Sequence, residues 1–174
     1  MARKDMRNGE IYLIHSSEYT LSAIEEIRKL SHGLTTDALQ QVGLSEEIGQ
    51  VVHDTMETPQ IRIHCRFDQS LEETMSEKFK LNTFRIVQEQ LTNILKHADA
   101  SEVHIALAVA NSEVLLSVTD DGIGFDTTKK SKGIGIRNII SRAELYKGEL
   151  QLISGSGKGC TLNIAFPLLG AGKN

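Results

Sequence analysis

The sequence predicts a two-layer α/β sandwich, of the α+β kind, in which a mixed sheet carries its helices on one face. Stretches of helix period and of strand alternation follow one another as helix, helix, strand, helix, two strands, helix, two strands. Two of the strand pairs are joined by turn-like sequences and read as hairpins. The chain of 174 residues is 40% hydrophobic, enough for the core of one ordinary domain with a helical appendage.

From Ser16 to Leu39 apolar residues recur at helix period, at Leu21, Ile24, Ile27, Leu30 and Leu34. "GLSEEIGQVVHDTM" reads as a second helix, with Ser45 as N-cap, Ile48, Val51 and Val52 as its apolar stripe, and Pro59 as its stop. "IRIHCRF" alternates like a half-buried strand. The polar "SLEETMSEKFK" then leads into a helix over Phe84–Ala100, "FRIVQEQLTNILKHADA". "EVHIALAVA" and "EVLLSVTD" form a hairpin around Asn111-Ser112. "IRNIISRAELYK" is a helix stopped by Gly148 at C′, and "ELQLIS" and "CTLNIAF" make the last hairpin around "GSGKG". The helical segment occupies residues 1–43 and the sandwich 44–174.

The net charge of −4, with basic residues scattered, argues against a nucleic-acid binder. No window approaches the ~18 apolar residues of a membrane span, and "MARKDMRNGE" lacks a signal-peptide core. A soluble, cytoplasmic chain without membrane contact is expected. Cys65 and Cys160 lie far apart in alternating stretches and read as small buried apolar residues rather than a disulfide or zinc pair. The six histidines are dispersed, so no transition-metal site is expected.

At about 100° per residue, Phe84, Val87, Leu91, Ile94, Leu95 and Ala98 gather on one side of the long helix. Arg85, Glu89, Asn93 and Lys96 gather on the other, with His97 at its border. Taken alone, this is a sheet-packed helix with a solvated back. Asn93 is awkward there, because Asn is a mediocre helix former and charged residues would solvate the face better. Its amide oxygen is a good ligand for a hard cation such as Mg²⁺. Glu89, one turn away, can orient or polarise a metal-bound water, and Lys96 can reach a phosphate as a point charge.

Two glycine-bearing stretches bear on this face. "DDGIGF" follows a strand and "KGIGIRN" opens a helix. Neither completes G-x-G-x-x-G, since Thr127 and Asn138 stand where the third glycine belongs. "GSGKGC" fails the P-loop pattern at Leu152 and Gly159. Taken together, the two stretches read as walls of a nucleotide pocket. Asp120 ends its strand with a carboxylate able to accept from an exocyclic amine, and Gly122 and Gly124 let backbone approach the ligand. Gly133 and Gly135 open a helix whose free N–H groups can receive phosphates. The polar, basic "DTTKKSK" between them reads as a flexible lid.

"QEQLTNILKHADA", "DDGIGFD" and "KGIGIRNIISRAELYKGELQLISGSGKGCTLNIAFPL" resemble, in order, the N, G1 and G2 boxes of the GHKL ATPases. More narrowly, they resemble the catalytic domain of bacterial sensor histidine kinases of the nitrate-sensor and desaturase-thermosensor subfamily. "IRKLSHGLTTDALQQVGLSEEI" is similar to that subfamily's second dimerisation helix and its connection. The resemblance implies a Bergerat fold binding ATP and Mg²⁺. Asn93 would ligate Mg²⁺, Glu89 would be the catalytic polarising carboxylate, Lys96 and His97 would lie near the phosphates, and Asp120 would hold the adenine amine. Gly122, Gly124, Gly133 and Gly135 would shape pocket and lid.

The resemblance further implies transfer of the ATP γ-phosphoryl to a histidine on a dimerisation helix, and thence to a response regulator receiver domain, in a homodimer joined through those helices. Two departures stand out. Cys160 occupies the place of a family Thr whose hydroxyl lies near the adenine-binding Asp, with Thr161 next. No histidine has the family's R-E-x-H-D acceptor context, and His32, in "KLSHGL", reads as a helix residue. The chain is therefore expected to lack its acceptor. The alternatives are an anti-sigma-factor-like GHKL serine kinase or binding module, and a GHKL domain that binds nucleotide without catalysis.

Overall fold

The computed structural model describes residues 43–56, 61–68, 70–127 and 133–168. In order these form helix α1 (Leu44–Met56), strand β1 (Arg62–Phe67), the short helix α2 (Leu71–Thr74), and the long helix α3 (Glu77–His97). Strands β2 (Glu102–Ala110) and β3 (Glu113–Asp120), helix α4 (Ile134–Leu145), and strands β4 (Glu149–Ser154) and β5 (Cys160–Pro167) complete the order. The helix expected over Ser16–Leu39, His32, the stop at Pro59 and residues 128–132 of the expected lid lie outside the described residues.

The five strands make one sheet in the order β1-β2-β3-β5-β4. β1 runs parallel to β2, and the remaining pairs are antiparallel, so the sheet is mixed as expected. Burial alternates strictly along β3 and β5. Val114, Leu116 and Val118 point to one face with Leu162, Ile164 and Phe166, and the helices cover that face. Burying each such side chain contributes about 1.5–3 kcal/mol. The register pairs Asp120 with Cys160 on this same buried face, at the end of the ladder. Asn111 and Ser112, with φ of 53° and 63°, form the two-residue hairpin turn that joins β2 and β3.

Helix α3 begins at Glu77 rather than Phe84, because the Ser76 hydroxyl accepts from the Phe79 N–H at 3.3 Å and caps it. The charged "SEKFK" hid this start, yet Phe79 is fully buried and meets Tyr146 and Phe166 edge-on at 5.0 Å each. The buried arc of α3 runs through Thr83, Ile86, Val87, Gln90, Leu91 and Ile94. Leu95, expected on the apolar side, lies about 100° round from Ile94, past the edge of that arc, and is 51% exposed.

Other expectations shift for local reasons. Ser45 sits inside α1 rather than at its N-cap. Its N–H and hydroxyl donate to Glu72 Oε1 at 2.7 and 2.9 Å, so a carboxylate distant in sequence closes this helix end. α4 ends in a Schellman turn, with Lys147 N–H donating to the Glu144 carbonyl and Gly148 N–H to the Ala143 carbonyl. Lys147, with φ of 55°, therefore takes the left-handed position expected of Gly148. Gly148 is needed because a Cβ there would meet the Phe166 ring at 2.7 Å. Cys160 is buried as expected, but Cys65, on the edge strand β1, is exposed.

Candidate functional site

The C-terminal half of α3, the loop after β3, the start of α4 and the β4–β5 hairpin enclose a cavity of about 660 Å³. That size suits a small-molecule ligand. Ile94, Ala98, Ile134, Ile136 and Leu152 give it apolar walls, and Gln90, Asn93, His97, Asp120 and Cys160 bring polar groups into them.

Asp120 is only 4% exposed, and its Oδ1 accepts from the Gly122 N–H at 3.0 Å. Burial raises its pKa, against the lowering effect of backbone hydrogen bonds from Gly122 and Cys160. A carboxylate so buried is a strong acceptor for a neutral N–H donor. The Cys160 thiol beside it is pushed up to about 11, by burial first and then by the Asp120 charge.

The loop after Asp120 is tied on two sides. Ile123 N–H donates to the Ala98 carbonyl at 2.7 Å, while Gly159 N–H and Gly157 N–H reach the carbonyls of Gly122 and Ile123. Phe125 N–H donates to Ser154 Oγ, which itself donates to the Gly159 carbonyl. Gly124 has φ of 61°, and a Cβ on it would run into the carbonyl oxygens of Gly155 and Gly159. Gly122 lies against the Ala98 carbonyl in the same way. The immediate need for both glycines is therefore close approach to the protein's own backbone.

At the other side of the cavity Gly133 is the N-cap of α4 and offers no side-chain cap, and the first turn, Gly133 to Ile136, lines the cavity. Gly135 leaves a hollow there. A Cβ on it would sit 2.6 Å from Glu89 Oε1 and 2.9 Å from Asn93 Oδ1, so both oxygens converge on that point. The Asn93 amide nitrogen is buried and has no hydrogen-bond partner.

Of the residues singled out in the sequence, the cavity lining gathers Asn93, His97, Asp120, Gly124, Gly133 and Gly135. Glu89 stands at its rim through its contact with Gly135. Gly122 is buried behind the loop, and Lys96 is exposed and outside the lining. Sequence reasoning missed Gln90, a polar residue on the buried arc of α3, and it dismissed the "GSGKG" hairpin as a mere turn. That hairpin is a wall, and Ser156 and Cys160 line the cavity. Among the described residues, no cluster of three or more His, Cys, Asp and Glu side chains forms a metal site. No described helix is long and apolar enough to cross a membrane.

The family model described as histidine kinase-, DNA gyrase B- and HSP90-like ATPase matches residues 80–170. The chain is 30% identical over 162 residues to the sensor histidine kinase ComP of Bacillus subtilis, covering 90% of this chain and 20% of that protein. It is 32% identical over 170 residues to the sensor histidine kinase MctS of Rhizobium johnstonii, covering 95% of this chain and 36% of that protein. The chain thus spans well under half the length of these curated relatives. Among solved structures, the histidine kinase domain of the Erythrobacter litoralis EL346 blue-light-activated kinase matches with a TM-score of 0.63 at 23% identity. That match covers 72% of this chain and 61% of the other.

Proposed function

The chain belongs to the family of histidine kinase-, DNA gyrase B- and HSP90-like ATPases, and from this we propose that its cavity binds ATP with Mg²⁺ for phosphoryl transfer to a histidine. The observation that carries the reading is that one cavity joins a buried carboxylate, Asp120, to the uncapped N-terminus of α4. Asp120 accepts from the adenine amine. The α4 N–H groups receive phosphate oxygens, with His97 and Lys96 on the neighbouring turn of α3 adding positive or hydrogen-bonding character.

The residues present fit a magnesium ion. Asn93 Oδ1 and Glu89 Oε1 converge on the hollow that Gly135 leaves. Oxygen donors of this kind suit a hard cation. When bound, magnesium supplies neutralisation of phosphate charge. Phosphoryl transfer asks mainly for positioning and such neutralisation. In this reading an imidazole nitrogen attacks the γ-phosphorus, ADP leaves, and Glu89 takes the proton the imidazole gives up. The acceptor histidine belongs to a dimerisation helix of a homodimer, and the phosphoryl group passes on to an Asp of a response regulator receiver domain.

Calorimetry tests the pocket. ATP should bind more tightly with Mg²⁺ than without, and more tightly than GTP, which lacks the amine at that edge. Asp120→Ala should weaken ATP binding roughly ten- to hundredfold, the worth of one charged hydrogen bond in a desolvated site. Unchanged affinity in Asp120→Ala would remove the adenine assignment.

A further inference from the structure

Gln90 lies on the buried arc of α3 among aliphatic neighbours, is 3% exposed, and lines the cavity. Its amide oxygen is buried without any hydrogen-bond partner. Cys160 and Asp120 stand in the same cavity lining. The β3–β5 register sets Cys160 directly opposite Asp120. Gln90, Cys160 and Asp120 thus line one cavity, and a buried acceptor left unpaired in its wall is an anomaly to be explained.

We propose that Gln90 reads the nucleotide base, its amide oxygen accepting one N–H of the adenine amine while Asp120 accepts the other. The inference rests on the ATP reading above and names a further specificity-determining residue in that site. A primary amine carries two N–H donors, and two acceptors side by side match it. A purine with a carbonyl at that position would set a third acceptor against those two, so the same pair rejects guanine and hypoxanthine. The hairpin offers a thiol here, a weak hydrogen-bonding group. Gln90, on α3, supplies the stronger group.

The test is calorimetric titration of the full chain with ATP and with purine riboside triphosphate, which lacks only the amine. Wild type should prefer ATP by about a hundredfold, one factor of about ten for each contact. Gln90→Leu and Gln90→Met fill the space without an acceptor. Both should bind ATP about tenfold more weakly while binding the amine-free nucleotide as wild type does, a pattern that merely structural damage would not give. Equal losses with both nucleotides, or no loss with either, would overturn the assignment. Failure of wild type to bind either nucleotide would instead overturn the ATP reading itself. If Asp120→Ala weakens ATP while the Gln90 variants keep the full amine preference, the pocket stands and this assignment falls.

Discussion

Gly135→Ala separates the metal-side reading of the site from a purely structural one, because it should move stability and function in opposite directions. The added Cβ would lie 2.6 Å from Glu89 Oε1 and 2.9 Å from Asn93 Oδ1. Both oxygens must withdraw by roughly half an ångström or more to reach ordinary contact. They end flexible side chains, so the fold accommodates the change. Gly135 is also the second residue of α4, where Ala is the better helix former by up to about 1 kcal/mol. Tm should therefore hold or rise. The two oxygens, however, lose their common focus, which removes about one charge-assisted contact, on the order of 1.5–3 kcal/mol. The gain in ATP affinity on adding Mg²⁺ should shrink roughly ten- to hundredfold, while ATP binding in chelator stays near wild type. Thermal melting and paired titrations with Mg²⁺ or chelator read the two effects. An unchanged Mg²⁺ increment would refute the convergence of Glu89 and Asn93 on a cation.

Other outcomes are expected elsewhere. Burial pushes the Glu72 carboxyl up, but the Ser45 and Leu44 backbone N–H groups, the Ser45 hydroxyl and Lys80 outweigh it, so its pKa is lowered. A lowered folded pKa contributes stability that is present above the unfolded value of 4.5 and lost as pH falls through the folded one. Glu72→Gln should therefore cost about 1–2 kcal/mol at neutral pH, a modest value because 26% of the side chain is exposed, and little at strongly acid pH in denaturant titrations. Gly124→Ala should destabilise by at least about 1–2 kcal/mol and weaken ATP binding, since its Cβ meets backbone oxygens that cannot swing away. Equal melting curves would refute that account. Incubated with γ-labelled ATP, this chain should stay essentially unlabelled, because no histidine in it has an R-E-x-H-D context. A separate helix carrying such an acceptor should gain label slowly, without the effective molarity of a tether. Acid-labile label on the chain alone, abolished by His32→Gln, would refute this.

The strands, both hairpins and the start of α4 were legible because their signals are local: alternation, a two-residue turn, a glycine ahead of a helical stripe. The start of α3 was not, because its first turn is charged and Phe79 is fixed by aromatic partners from α4's end and β5. The cap of α1 was misplaced because its acceptor, Glu72, comes from a segment that tertiary folding brings close. At the site, Asn93 was visible as an awkward mid-helix residue, Glu89 by lying one turn from it, and Asp120 as the carboxylate that ends its strand before the glycine stretch. Gln90 was an amide on an apolar arc, but apolar residues alone were counted along that side. The hairpin's role as a wall depends on strand register, which pairs Ser154 with Cys160 and Cys160 with Asp120 and which no local pattern encodes.

The two adjacent aspartates show how the pleat gives one dipeptide two duties. Asp120 points into the helix-covered face, and burial lifts its pKa. Asp121 is exposed and accepts from Ser101 N–H, Ser101 Oγ and Glu102 N–H, at 2.8, 2.6 and 2.8 Å. Its pKa is lowered, by the Ser101 hydroxyl first and then by the Glu102 N–H. These bonds fasten the end of β3 to the entrance of β2, only a short turn after α3, the helix that carries Gln90 and Asn93. The outer carboxylate thus holds in register the loop that positions the inner one. Exchanging their environments would require a one-residue slip, which reverses every side chain of β3 and would carry Val114, Leu116 and Val118 out of the core. The cost of that slip fixes which of the two carboxylates faces the cavity.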